Sequence, residues 1–161
     1  MDDDPILARL QATGQPHEVV PCDPDLADTA AFCEAYGYEL VDSANAIVVA
    51  GKADPPPYAA CLVLAVSRLD VNGTVRRRLG TRKASFASAE ATVELTGMQI
   101  GGVTPFGLPD DLPIWIDAGV MERERVIVGG GGRDRKFLVA PGALTALANA
   151  EVVEGLAKAP G

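Results

Sequence analysis

The sequence predicts an α+β fold in a single domain, and three observations carry that expectation. The chain has 161 residues, 48% of them apolar, which is enough to bury a core without disulfides or metals. Helical and strand-like segments are mixed without a strict strand–helix–strand rhythm. Two apolar runs, 46–50 and 59–67, are joined by a short turn and are therefore set to pair antiparallel. No apolar run reaches the length of a transmembrane helix.

In chain order, Ile6, Leu7 and Leu10 follow Pro5 at helical spacing and Gly14 stops the pattern, so 5–13 reads as a first helix. Residues 18–21 form a short strand candidate. Either Asp25 or Asp28 caps a second helix that carries Leu26, Ala30, Phe32, Cys33 and Tyr36 and closes at Gly37. The run 46–50, Ala-Ile-Val-Val-Ala, has the β-branched content of a buried strand. Residues 51–57, with three consecutive prolines, form an exposed turn before 59–67 returns. A short helix over 71–79 ends at Gly80, 83–86 is a weak strand, and Ser88 caps a helix that closes at Gly97. Strands follow at 113–117, 125–128 and 136–140. Pro141 opens a last helix to 148, and 151–153 is a last short strand.

Charge and residue usage remove several function classes. With 14 basic against 22 acidic residues the formal net charge is −8, so most of the surface repels phosphate. This argues against a general nucleic-acid coat and against DNA as a partner, while leaving room for a local basic patch that meets one end of an RNA. Basic residues cluster at Arg76, Arg77 and Arg78, at Arg82 and Lys83, and at Arg133, Arg135 and Lys136. Each group reads either as a solvated face or as a contact for a phosphate backbone.

Cys22, Cys33 and Cys61 are odd in number and widely spaced, and His17 is the only histidine. These exclude a multi-histidine metal site and argue against a zinc or disulfide framework, so no metal or cofactor is expected. A Ser-His-Asp or Cys-His device would have to use His17, which reads as a surface residue at the start of a strand. The N-terminus, Met-Asp-Asp-Asp-Pro, lacks the basic and apolar parts of a secretory signal, and a cytoplasmic protein is expected.

The stretch most able to carry chemistry is 98–108, Met-Gln-Ile-Gly-Gly-Val-Thr-Pro-Phe-Gly-Leu. Gly101 and Gly102 let another molecule approach the backbone closely, and Pro105 stiffens the segment. A plain helix-to-strand connection has the same composition. The four glycines 129–132 lead into a strand, whereas the P-loop and dinucleotide patterns both require a following helix. They read as a mobile hairpin loop or as a second glycine-lined wall. Asp117, after Ile114-Trp115-Ile116, reads as an active-site carboxylate or as a turn cap.

Taken in order, Thr29-Ala30-Ala31, Ser67-Arg68-Leu69-Asp70, Glu94-Leu95-Thr96-Gly97, the glycine block 100–107, Ile116-Asp117 and Val128-Gly129-Gly130-Gly131 resemble the YbaK/EbsC family. These are the prolyl-tRNA-synthetase-associated domains that hydrolyse mischarged aminoacyl-tRNA, and the resemblance runs over about 19–153 of the single domain 1–161. It implies a mixed, mostly antiparallel and partly closed sheet flanked by helices, with a pocket for the aminoacylated 3′ end of tRNA. It further implies a cofactor-free deacylase acting in trans on a Cys-, Ala- or Ser-tRNA type of substrate. The implied partner is the 3′ acceptor end of aminoacyl-tRNA, with an aminoacyl-tRNA synthetase as an open second.

The site residues implied are Asn45 and Gly102 for catalysis, and Gly101, Val103, Thr104, Pro105, Asp117, Gly129, Gly130 and Gly131 for the substrate. An aminoacyl ester is already activated, so backbone N–H donors aimed at the developing oxyanion supply much of the acceleration. The chain departs from the family pattern twice. Asn45 stands where many members carry a lysine, and Gly129 where many carry a serine. A neutral amide at position 45 donates a hydrogen bond without the attraction of a full charge, which keeps open an alternative: a catalytically impaired module that binds aminoacyl-tRNA or a small amino-acid-like ligand.

Overall fold

The computed structural model describes residues 4–98 and 102–158. The first half comprises α1 (Pro5–Ala12), β1 (His17–Pro21), α2 (Thr29–Tyr36), β2 (Ala44–Gly51), β3 (Tyr58–Leu64) and β4 (Arg68–Leu69), with 3₁₀ turns at Pro24–Leu26 and Leu40–Asp42. A wide turn, Val71–Val75, then runs into α3 (Arg76–Leu79), followed by β5 (Ala84–Phe86) and α4 (Ala89–Thr96). The second half adds β6 (Ile114–Asp117), α5 (Ala118–Met121), β7 (Val126–Gly129), β8 (Arg135–Val139), α6 (Gly142–Thr145), β9 (Ala150–Val153) and β10 (Ala157–Lys158).

Local chemistry explains the element boundaries. Asp4 caps α1 by accepting the Leu7 N–H at 3.1 Å, and Pro5 sits at the first helical position, where its missing N–H costs nothing. Asp28, not Asp25, is the N-cap residue of α2; Asp25 lies in the preceding 3₁₀ turn, where its N–H is held by the Asp23 carboxylate. Ser88 Oγ accepts from Ala91 N–H at 3.0 Å, and α4 stops at Gly97, whose φ of +70° is the left-handed conformation that glycine adopts freely. The helix expected over 71–79 is split. Asp70 accepts from both the N–H and the hydroxyl of Thr74 at 3.1 Å, which draws the first turn wide before α3 begins.

The main sheet has the order β5-β2-β3-β6-β9, and β1-β8-β7 form a second sheet. Pairing is antiparallel except where β6 joins β3 and β9 in parallel. A mixed, mostly antiparallel sheet is therefore found, but the partial closure is not. Closure needs a continuous ladder, whereas among the described residues the backbone link between the two sheets is a single parallel bridge between Ser43 and Ile127. The short strand β5 pairs with β2 only over 49–51, so the edge at the start of β2 stays open.

Strand β3 is the backbone of the core, buried on both faces. Ala60, Leu62 and Leu64 pack with Ile114, Ile116, Phe106 and Phe137 on one side, while Ala59, Cys61 and Val63 pack with Val75, Trp115 and Leu156 on the other. A third cluster seats α2 on the second sheet through Phe32, Cys33, Val20, Cys22 and Ile127. This cluster brings the N-terminus of α2 to the open edge of β2.

Two outcomes are expected. The Asp117 carboxylate accepts the N–H of Gly119 and of Ala157, each at 3.1 Å, joining the end of β6 to β10. Asp117→Ala should cost about 1–3 kcal/mol, read as a lower midpoint in chemical denaturation. Asp4 pairs with Arg135 at 2.6 and 3.1 Å, and that guanidinium holds the Asp4 carboxyl at about 2, below its ordinary 3.8. A depressed acid stabilises the fold above its unfolded value, so this contribution is lost as pH falls from about 4 to 2. Thermal melts of wild type and Asp4→Asn should differ at neutral pH and converge at the acid end.

Candidate active site

A cleft of about 230 Å³ opens where the sheet fails to close, between the start of β2, the N-terminus of α2 and the ends of β7 and β8. Thr29, Phe32, Asn45, Val103, Gly129 and Lys136 line it, and the exposed ring of Phe86 stands at its lip. Asn45, Ile47 and Phe86 also border a broader groove of about 810 Å³, where Arg68 and Lys158 stand.

Asn45 pairs with Val63 across β2 and β3, and its Oδ1 accepts the Thr29 hydroxyl at 2.7 Å. This bond fixes the amide against α2 and takes one of the two lone pairs of its oxygen. Asn45 also carries two N–H donors that a ligand can use. In the sequence Thr29 stands only as part of the Thr-Ala-Ala motif; its spatial pairing with a residue sixteen positions away leaves no local sequence signal.

The two glycine runs do come together, but in direct contact and not as walls facing across a gap. Gly131 N–H donates to Gly102 O at 2.6 Å. A Cβ on Gly102 would collide with Gly132 O, and one on Gly129 with Val103 O. Backbone packs on backbone there, and glycine is what permits the approach. Of these residues Val103 and Gly129 reach the cleft surface. Gly130 packs under the Arg135 stem, and Gly131 turns toward Ile6 of α1.

The other expected site residues lie away from the cleft lining. Thr104 is fully buried, with its Oγ1 accepting from Phe106 N–H at 3.4 Å. Pro105 borders a small apolar space with Ala46 and Ala60, and Asp117 is held at the far end of β6 by Gly119 and Ala157. Gly101 lies outside the described residues.

Lys136 is the residue the sequence hid. In the sequence it is one member of a basic cluster, of which Arg135 pairs with Asp4, and Arg133 pairs with Asp28 and donates to Pro24 O. Lys136 itself is only 6% exposed, with its Nζ 5.8 Å from the centre of the Phe32 ring. Burial pushes its pKa below the ordinary lysine value. Burial likewise raises the thiol pKa of Cys33 and Cys22, the cysteines behind this wall. Among the described residues no group of three or more His, Cys, Asp or Glu is placed to hold a metal ion, and no helix is long and apolar enough to cross a membrane.

The cleft thus combines amide and hydroxyl donors, a buried amine and a glycine-lined backbone. Such a set can grip and polarise a carbonyl group. The solved structure of hypothetical protein APE2540 superimposes with a TM-score of 0.84 at 21% identity, covering 96% of this chain and all of that one. A second, a candidate trans-editing enzyme for prolyl-tRNA synthetase, gives 0.76 at 27% identity over 95% and 98% of the two chains. Uncharacterized protein YwhH of Bacillus subtilis (strain 168) is 27% identical over 108 residues, 67% of this chain and 66% of its own length, just under two thirds of that relative. The family described as "Aminoacyl-tRNA editing domain" matches residues 23–147, and with most of its length inside that match the chain belongs to this family of YbaK type.

Proposed function

We propose that this protein hydrolyses the ester bond of a mischarged aminoacyl-tRNA, acting in trans on a small aminoacyl group of the Ala, Cys or Ser type. The observation that carries the reading is the cleft itself. It is several water molecules in volume, and Asn45 is held ready by Thr29 beside the backbone of Val103 and Gly129. A cavity of this size takes an aminoacyl group and its ester but not the body of a tRNA. The groove beyond Phe86, with Arg68 at its side and Lys158 paired with Asp70, offers a path for the terminal nucleotides and their phosphates.

Asn45 orients the ester through its N–H donors, and the backbone at Val103 and Gly129, which reaches the cleft surface, supplies further contacts for the carbonyl oxygen. Water is the nucleophile, which fits a chain whose one histidine, His17, is exposed at the start of β1. The neutral Asn45 supports a second reading, in which the cleft binds an aminoacyl-tRNA end without turning it over.

Deacylation of Ala-, Cys-, Ser- and Thr-tRNA made on non-cognate tRNAs separates the two. Turnover of at least one substrate is expected, with kcat about tenfold lower in Asn45→Ala, the share of one neutral hydrogen bond. Tight binding with no turnover across the panel would establish the second reading instead. Gly102→Ala and Gly129→Ala should each lower both activity and thermal stability, because the added methyl group must push two backbone segments apart. Wild-type melting and turnover in either variant would show that the glycine contact is dispensable.

A further inference from the structure

We propose that Phe86 is the platform on which the terminal base of the nucleic acid stacks when its ester enters the cleft. This rests on reading the cleft as the place where an aminoacyl ester is bound.

Strand register sets the position of the ring. Asn45, Ile47 and Val49 alternate along β2 and so share one face of the main sheet. Phe86 lies directly opposite Val49, and residues so paired project to the same face. Val49 is fully buried there, but β5 ends at Phe86, whose side chain is 59% exposed. No other large apolar residue among those described is as exposed. Single exposed apolar side chains are common and mean little by themselves. Here the place gives the meaning.

Asn45, Ile47 and Phe86 line both the cleft and the broader groove, and so mark the threshold between them. An aminoacyl group seated beside Asn45 is joined through one ester oxygen to a ribose. That ribose crosses the threshold, and its base is the first group beyond it. Phe86 is the aromatic residue of the groove lining among the described residues, whereas Phe32 lies inside the cleft wall with no exposed surface. Unpaired bases at the end of a strand stack on aromatic rings placed in this way.

The opposite wall of the groove suits the rest of a nucleotide. It is built by 67–72, facing β5. Its carboxylate, Asp70, is occupied: it accepts from the N–H and hydroxyl of Thr74 and pairs with Lys158 at 3.5 Å. Arg68 then leaves the lining with one positive charge in excess. An aromatic face for the base and a cation for the phosphate stand on two sides of one groove. A free amino-acid ester reaches neither, so the ring selects esters carried on a nucleotide. Every base has a π-face, so this contact positions the end of the strand without reading its sequence.

The test measures binding of two non-hydrolysable probes. One is 3′-alanylamido-3′-deoxyadenosine; the other is the same amide on a sugar ring that carries hydrogen in place of adenine. Wild type should bind the adenosine probe about tenfold more tightly, or better, the share of one base–aromatic stack. Phe86→Ala should abolish that preference, and Phe86→Tyr and Phe86→Trp should keep it. Thermal melts of the variants should match wild type, because an exposed side chain is changed. In steady-state deacylation Phe86→Ala should raise KM about tenfold with kcat little changed, as when an interaction made equally in the ground and transition states is lost.

Three results overturn the proposal: equal binding of the two probes by wild type, no binding of the adenosine probe, or an undiminished preference for it in Phe86→Ala. Turnover of a mischarged tRNA alongside any of these leaves the editing reading intact. Conversely, a preference that depends on an aromatic ring at this position supports the proposal even where wild type hydrolyses no ester and the editing reading fails.

Discussion

The contact between the peptide backbone of 102–103 and that of 129–132 is what the cleft depends on. The Gly131 N–H to Gly102 carbonyl bond at 2.6 Å draws the segments together, and the missing side chains of Gly102 and Gly129 let them close. The contact ties the loop after α4 to the second sheet and so carries Val103 to the cleft while seating Phe106 in the main core. It also strips the side chain from the strand position opposite Lys136. One close approach of main chain to main chain therefore shapes the cleft floor and makes room for the amine beside it.

The second determinant is an absence of pairing. Had β5 covered β2 along its whole length, the edge near Asn45 would be occupied by a strand. It stops at residue 49, and α2 fills part of the gap from the other side. Electrostatics then separate the cleft from its surroundings. The chain as a whole carries −8, and Arg9, Arg78, Arg123, Arg133, Arg135 and Lys158 are each held by an acidic partner. An acidic surface repels the body of an RNA, so attraction is concentrated at the few places where positive charge is not cancelled nearby.

Much of the fold was legible because local chemistry decided it. Helix starts such as Pro5, caps such as Ser88, left-handed glycines such as Gly97, and the β-branched run in β2 act over a few residues, and the structure follows them. The open sheet and the parallel insertion of β6 between β3 and β9 were not legible, since they depend on which strands meet across dozens of residues. Lys136 was hidden for a related reason. Neighbouring residues on a strand point to opposite faces, but within β8 Lys136 is followed by apolar side chains on both faces, Phe137 and Leu138, so no alternation marks Lys136 as inward. The glycine runs were found as glycine runs; that they touch each other, and that Gly130 and Gly131 turn away from the cleft, is a tertiary fact.

The double burial of β3 has a chemical consequence. Cys61 sits at its centre with no exposed surface, and desolvation pushes its thiol up to about 12. Cys22 and Cys33 are buried separately, in the cluster that holds α2 against the second sheet. Thiolate is the reactive species, so all three cysteines resist alkylation while their surroundings stay closed. The chain thus carries two built-in clocks: modification of Cys61 times the opening of the main sheet, and modification of Cys22 and Cys33 times the release of the cleft's helical wall.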